Sequence, residues 1–253
     1  MNHSSALPRQ FALDLNQTPP ASLHNFLVSG NEELKNTLER SIAAWPSASE
    51  REVPIEERWL YWWGNNGCGR THLLKAMSYA AKERAIAFIE LNPNQPNAWI
   101  ECEDQLSRSY SNEVIVMTVD DVDQLDDRLQ ASLFRILNLV HANSNYFVYL
   151  AGSMAPNGLE LREDLRTRLA WGLIFQIHPL TDSEKVSALT HAAKERGLNL
   201  SVDVLPWLIS HFYRDMPSLM ALLDALDAHS LETKRAITLP LVRELLQIAG
   251  TKS

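Results

Sequence analysis

The residues Gly64-Asn65-Asn66-Gly67-Cys68-Gly69-Arg70-Thr71 follow the spacing G-x-x-x-x-G-[KR]-[ST], and the chemistry that spacing serves is phosphate binding. Glycines at these positions let successive backbone N–H groups turn toward one point, and the start of a following helix adds the positive end of its dipole. Gly64, Gly67, Cys68, Gly69, Arg70 and Thr71 are therefore candidate nucleotide-phosphate ligands, and the Thr71 hydroxyl is also a candidate Mg²⁺ ligand. Arg70 stands where such loops usually carry lysine. Its wider fork still neutralises phosphate, but it suits a product-like nucleotide better than a positioned terminal phosphate. The alternative is that Arg70 pairs with an acid over an empty loop.

Three further positions carry possible chemistry. Asp120, after a hydrophobic run, can hold Mg²⁺ through water, and Asp121 can orient an attacking water. Asp123, Asp126 and Asp127 follow, so the same acids also read as a helix start. Ser153 closes another apolar run; contact with a terminal phosphate and an ordinary turn position are both open. Arg168, in Asp164-Leu165-Arg166-Thr167-Arg168-Leu169, can reach a neighbouring subunit's nucleotide and stabilise the charge being transferred. Arg162 and Arg166 compete for that role, and a solvated charged run is the plainer reading.

The elements that must position these residues follow from periodicity. Trp59 to Trp63 is an unbroken bulky run directly before the glycine loop, which predicts a strand buried on both faces; a ligand-stacking surface is the disfavoured alternative. Helices are predicted over 31–44 (Asn31 as N-cap), 71–84, 126–142 and 160–170. Further strands are predicted over 85–91, 114–119, 146–151 and 173–177, with 46–57 a loop and 98–108 helical but without an assigned role. After Pro179 the signal is helical only, over 182–196, 202–213, 216–230 and 239–248. Alternating strands and helices followed by helices alone predict an α/β P-loop core with a five-stranded, mostly parallel sheet and a small all-helical lid. The expected divisions are a tail over 1–22, a core over 23–178 and a lid over 179–253. Within the tail, Gln10, Phe11, Leu13 and Leu15 form a short apolar group. It either packs back on its own domain or docks into a groove of another protein.

Composition narrows the functional classes. The 253 residues suffice for one large domain and one small one. The chain has 31 acidic and 23 basic residues, a formal charge of -8, with no dense Lys/Arg array, which argues against direct duplex binding. No run approaches the roughly 20 apolar residues of a membrane span. The polar N-terminus does not look like an export signal, and two cysteines predict a cytosolic protein without a disulfide framework.

Gly64 to Leu74 (GNNGCGRTHLL), Val119-Asp120-Asp121-Val122 and Arg168-Leu169-Ala170-Trp171-Gly172-Leu173 occur in the order found in the ATPase core of the bacterial replication initiator DnaA and its relatives. The chain resembles that AAA+ family from about Phe26 onward. Among its members it looks most like the regulatory inactivators of the initiator. The length has no room for the initiator's N-terminal domain, and the chain ends after the lid, where a helix-turn-helix would follow. Gln10-Phe11-Ala12-Leu13-Asp14-Leu15 looks like their clamp-binding peptide, and some of them also carry arginine at the Arg70 position.

The resemblance implies a negative regulator of replication initiation. The tail would bind the DNA-loaded sliding clamp (the β subunit of DNA polymerase III), so that DNA is contacted mainly indirectly and the protein associates with the nucleoid through the clamp. Arg168 would then promote ATP hydrolysis in the partner DnaA. The chain itself would bind ADP (or ATP) with Mg²⁺, turn over ATP weakly if at all, and form a homo-oligomer. His72, directly after the loop, joins the nucleotide-binding set by resemblance. One position departs from the pattern. The family's lid arginine is missing where Met216 is followed by Pro217, and Arg214, three residues before Pro217, is the stand-in. The alternatives are a self-contained AAA+ ATPase such as a helicase loader, and a non-catalytic initiator-like adaptor.

Overall fold

Five strands form one sheet in the computed structural model, which describes residues 20–26, 29–48, 52–108, 113–211, 216–233 and 236–243. They are β1 (Trp59–Trp63), β2 (Ala87–Leu91), β3 (Ile115–Val119), β4 (Tyr146–Gly152) and β5 (Leu173–Gln176). Their order is β2-β3-β4-β1-β5, and all four pairings are parallel. Parallel strands require crossovers, and crossover helices cover both faces. Hence β1, β3 and β4 do not alternate with exposed polar residues: they are bulky, apolar runs interrupted only by the buried Thr118 of β3. Their side chains still alternate between two cores. Tyr146, Val148 and Leu150 face one layer, and Phe147, Tyr149 and Ala151 face the other.

Helices α1 (Glu32–Ala44) and α3 (Arg70–Glu83) cover the second layer. The short α2 (Ile55–Arg58) leads into β1. Helices α4 (Pro96–Arg108), α5 (Asp127–Ala142) and α6 (Glu163–Leu169) contribute to the first layer. The α5 helix starts where Asp126 accepts a hydrogen bond from Leu129 N at 2.8 Å, a side-chain cap for an otherwise unpaired donor. Its Leu129, Leu133, Ile136, Leu137 and Val140 stripe then enters the core. The aromatic β1 run is core, with Trp59, Leu60, Tyr61 and Trp62 fully buried, so the stacking-surface alternative is removed.

Two local expectations are corrected. The 46–57 stretch is not simply a loop: a 3-10 turn spans Trp45–Ser47, and α2 forms one helical turn. A single turn has little intrinsic stability. It is held by long-range contacts, including the hydrogen bond from Ser41 Oγ to the Glu57 carbonyl. Asn31 occupies the N-cap position of α1 but makes no side-chain cap. Its amide instead donates to His178 O (2.9 Å) and accepts from His178 N (2.8 Å), satisfying the backbone beyond β5.

The chain divides between Leu180 and Thr181 into two compact units. In the second, α7 (Asp182–Glu195) opens with a Thr181/Glu184 capping box, followed by α8 (Val204–His211) and α9 (Met216–Thr233). Residues 239–243 are again helical, and Leu200 bridges Ile237 in parallel. Leu189, Val204, Leu208, Leu222, Leu226, Ile237 and Val242 are part of a separate core.

Candidate functional site

The loop between β1 and α3 bends through two left-handed glycines, Gly67 (φ 80°) and Gly69 (φ 110°). At Gly69 a side chain would be strained by backbone angle and would also meet the Phe26 ring at 3.1 Å. Gly64 is required for a different reason: a Cβ there would lie 2.7 Å from Cys68 Sγ and 2.9 Å from the Ile177 carbonyl. The loop is thus pressed against its own thiol and the end of β5, and helix α3 starts at Arg70 with amides that have no intrahelical acceptor. Burial pushes the Cys68 thiol pKa up, so the sulfur is a neutral packing group in this cradle.

The sheet brings the second element alongside. β3 and β4 are adjacent, and β4 is adjacent to β1, with Val119 level with Leu150 and Trp63 level with Gly152. Residues following the C-terminal ends of three neighbouring strands therefore converge. Thr71 Oγ1 donates to Asp120 Oδ2 at 2.8 Å, and Asp120 Oδ1 accepts from Asp121 N at 2.9 Å. Asp121 itself adopts a left-handed backbone (φ 49°), which turns the chain sharply under the loop. Its carboxyl pKa is raised, chiefly by burial and then by the Asp120 charge, with Arg70 opposing. Ser153 lies immediately beyond β4, and its backbone N donates to Asp123 Oδ1 at 2.8 Å.

Arg70 is engaged on one side of its fork. Nη2 donates to Asn66 Oδ1 at 3.0 Å and lies 3.9 Å from Asp121 Oδ1. Nη1 is buried with no hydrogen-bond partner among the described residues. An unsatisfied buried guanidinium nitrogen costs free energy, and an anion in the adjacent glycine cradle would remove that cost. This orphaned donor, the left-handed glycines and the Thr71/Asp120 oxygen pair fit a nucleotide phosphate with Mg²⁺. Among the described residues no group of three His, Cys, Asp or Glu forms a metal site by itself, so a metal here would take its other ligands from phosphate and water. The group would supply the phosphoanhydride bond and its countercharge. Arg70, Thr71 and Asp120 would hold it. His72 faces away from that oxygen pair: it stacks on Phe26 (centroids 6.0 Å apart) and donates through Nε2 to Ser22 O at 3.2 Å. Burial lowers its pKa.

Arg168 is not part of this cluster. It rises from α6, its guanidinium 4.0 Å from the Phe134 ring centroid and 4.7 Å from that of Trp171, and its Nε donates to Asn138 Oδ1 at 2.7 Å. Trp171 packs on Trp59, the first residue of β1, with centroids 5.9 Å apart. The glycine loop leaves β1 after Trp63, its last residue. Four strand steps separate those ends, about 13 Å, so Arg168 and its own chain's phosphate loop lie toward opposite ends of β1. No described residue accepts from the Arg168 Nη groups. Of its competitors, Arg162 is paired with Asp164 at 2.6 Å, and Arg166 borders a cleft with Asn157 and Ile174.

The sequence reading missed Asn66, Phe26, Asn138, Phe134 as an arginine partner, and Trp171 as its second face. Phe134 had a local signal as part of an apolar helix stripe, and Asn66 and Trp171 stood inside the two motifs without a role of their own. Arg214 and the tail residues Gln10, Phe11, Leu13 and Leu15 lie outside the described residues. Among the described residues no helix is long and apolar enough to cross a membrane.

A family profile described as the bacterial DnaA ATPase domain matches residues 19–176, and one described as the Hda lid domain matches residues 182–246. An uncharacterized protein of Haemophilus influenzae is 29% identical over 245 residues, covering 95% of this chain and 99% of that protein. A solved replication initiator DnaA, bound to AMPPCP and single-stranded DNA, aligns with a TM-score of 0.63 at 20% identity, over 87% of this chain and 69% of that one. Domain III of the Thermotoga maritima DnaA aligns at 0.61 and 18%, over 91% and 98%. At such identities the two structures attest the fold alone.

Proposed function

The chain belongs to the bacterial DnaA ATPase family and carries an Hda-type lid, and from that premise we propose that it is a negative regulator of replication initiation that acts on a partner's nucleotide. The family gives it the capacity to bind nucleotide, and the Gly64–Thr71 loop is where we place that nucleotide. In our reading it holds ADP with Mg²⁺ there, with Arg214 as the lid's stand-in for the missing arginine. It docks on the DNA-loaded sliding clamp through Gln10, Phe11, Leu13 and Leu15, self-associates, and presents Arg168 to ATP bound by DnaA. It works in the cytoplasm, at the nucleoid, through the clamp.

The observation that supports this reading most is the separation of Arg168 from its own phosphate loop. A guanidinium stacked between two rings at the far end of β1 serves a second molecule better than its own. Its unbonded Nη donors suit a terminal phosphate on which negative charge develops, the situation in which a trans arginine acts. Arg70, drawn toward Asn66 and Asp121, is poorly placed for hydrolysis in its own site.

The test is ATP hydrolysis by the initiator with this protein, clamp and DNA present. Parent protein accelerates it. Arg168→Ala loses on the order of 10³-fold of that acceleration while clamp binding is retained. Full acceleration by R168A would remove Arg168 from the mechanism. The self-contained ATPase reading draws support from the Thr71–Asp120 contact. It requires steady turnover by the isolated protein that falls with Asp120→Asn.

A further inference from the structure

We propose that Tyr61 and Asp123 are positioning residues that hold Ser153 at the end of a bound nucleotide's phosphate chain, so that a triphosphate and a diphosphate are told apart through them. The role rests on the nucleotide proposed for the Gly64–Thr71 loop. Ser153 is the first residue beyond β4. Gly152 is level with Trp63, and Gly152 O accepts from Gly64 N at 3.4 Å. Ser153 therefore follows directly on the residue bonded to the first glycine of the loop.

The backbone here is gripped on both sides. Asp123 Oδ1 accepts from Ser153 N at 2.8 Å, and Tyr61 Oη donates to Met154 O at 2.6 Å. The two grips come from separate segments: Tyr61 from the middle of β1, Asp123 from a 3-10 turn (Val122–Gln124) after β3. Tyr61 is level with Leu150, so its side chain reaches past Gly152 to the turn beyond the strand. Glycine is what lets it pass: a Cβ at 152 would collide with the Tyr61 hydroxyl and lie 3.4 Å from Asp123 Oδ1. Tyr61 is fully buried. Burial, and then the Asp123 charge, push its pKa up against the opposing Arg70 guanidinium, so the hydroxyl stays a donor. Ser153 Oγ, by contrast, has no hydrogen-bond partner among the described residues. An open hydroxyl on a backbone fixed at both flanking peptides is a preorganised donor. It can meet a phosphate oxygen without first ordering a loop.

The experiment measures dissociation constants of the full chain for ADP and for AMPPCP, both with Mg²⁺, and reads their ratio. A general loss of stability weakens both ligands and leaves the ratio in place. Ser153→Ala should weaken AMPPCP relative to ADP about tenfold, the loss of one hydrogen bond to a charged group. Tyr61→Phe removes only the hydroxyl and should move the ratio the same way, about three- to tenfold. In the Ser153→Ala background it should add nothing further. Asp123→Asn keeps an acceptor oxygen and Asp123→Ala does not, while both lose the charge. The alanine variant should therefore discriminate against AMPPCP about threefold more than the asparagine one. A parental ratio in Tyr61→Phe overturns the proposal, as does a Tyr61→Phe shift that persists without the Ser153 hydroxyl. Equal ratios for the two Asp123 variants overturn the part given to Asp123. An unmoved ratio in Ser153→Ala overturns the proposal but leaves the nucleotide site standing. If the parent binds neither ligand, the site itself fails and the positioning role falls with it.

Discussion

Asp121 combines three conditions on one carboxylate: a left-handed backbone, partial burial, and a neighbouring Asp120 charge. The folded state therefore holds the Asp121 proton more tightly than the unfolded chain does. By linkage its contribution to stability falls as pH rises from the ordinary carboxylate pKa near 4 through its raised value. Asn tolerates the same backbone angle and carries no charge. In nucleotide-free protein, Asp121→Asn should raise Tm at neutral pH, and the gain should vanish below about pH 4. Solvent access at this side chain limits the gain to under about 1 kcal/mol. Thermal melts at several pH values check this, and a difference that does not change with pH would contradict it. The glycine and Thr71 chemistry was legible in the sequence because it depends on contiguous residues. That Arg70 leaves one donor unsatisfied was not legible, because it depends on how the loop turns one side of the fork toward Asn66 and the distant Asp121 and buries the other.

At the level of elements, the C-terminal end of α5 is tied down by one buried side chain. Arg58, at the end of α2, donates to the carbonyls of Val53, Val140, His141, Asn143 and Tyr146. It thus satisfies helix-end acceptors and the start of β4 together. The same α5 segment carries Asn138 and Phe134, which hold Arg168. Arg58→Met fills similar volume but leaves several buried carbonyls unpaired, and should cost about 3–5 kcal/mol in chemical denaturation. A loss below about 1 kcal/mol would mean that water replaces the fork without penalty. The strands were legible to within two residues, since bulky apolar runs bounded by turns have few alternatives. The α2 turn was not, because its stability comes from contacts far along the chain, Ser41 on the Glu57 carbonyl and the carbonyls around 140–146 that Arg58 reaches, rather than from any local pattern.

For the molecule as a whole, ligand linkage offers a test independent of any partner. ADP with Mg²⁺ at about 100 times its dissociation constant should stabilise the protein by about 2.7 kcal/mol. Thr71→Ala should retain a shift with ADP alone but lose the increment that Mg²⁺ adds, measured by thermal melts with and without chelator. A full Mg²⁺ increment in that variant would move the metal away from the Thr71–Asp120 pair.

The sequence by itself determined that a phosphate-binding turn sits between a buried strand and a helix, and that a helical unit follows an α/β one. Both follow from local spacing and periodicity, which act on neighbouring residues whatever the fold around them. Only the tertiary structure decided that Arg168 stands toward the opposite end of β1 from that turn, against Phe134 and Trp171. It also decided that Thr71 meets Asp120. Those placements depend on the strand order β2-β3-β4-β1-β5. That order sets distant segments side by side through packing of both faces, and no run of adjacent residues encodes it.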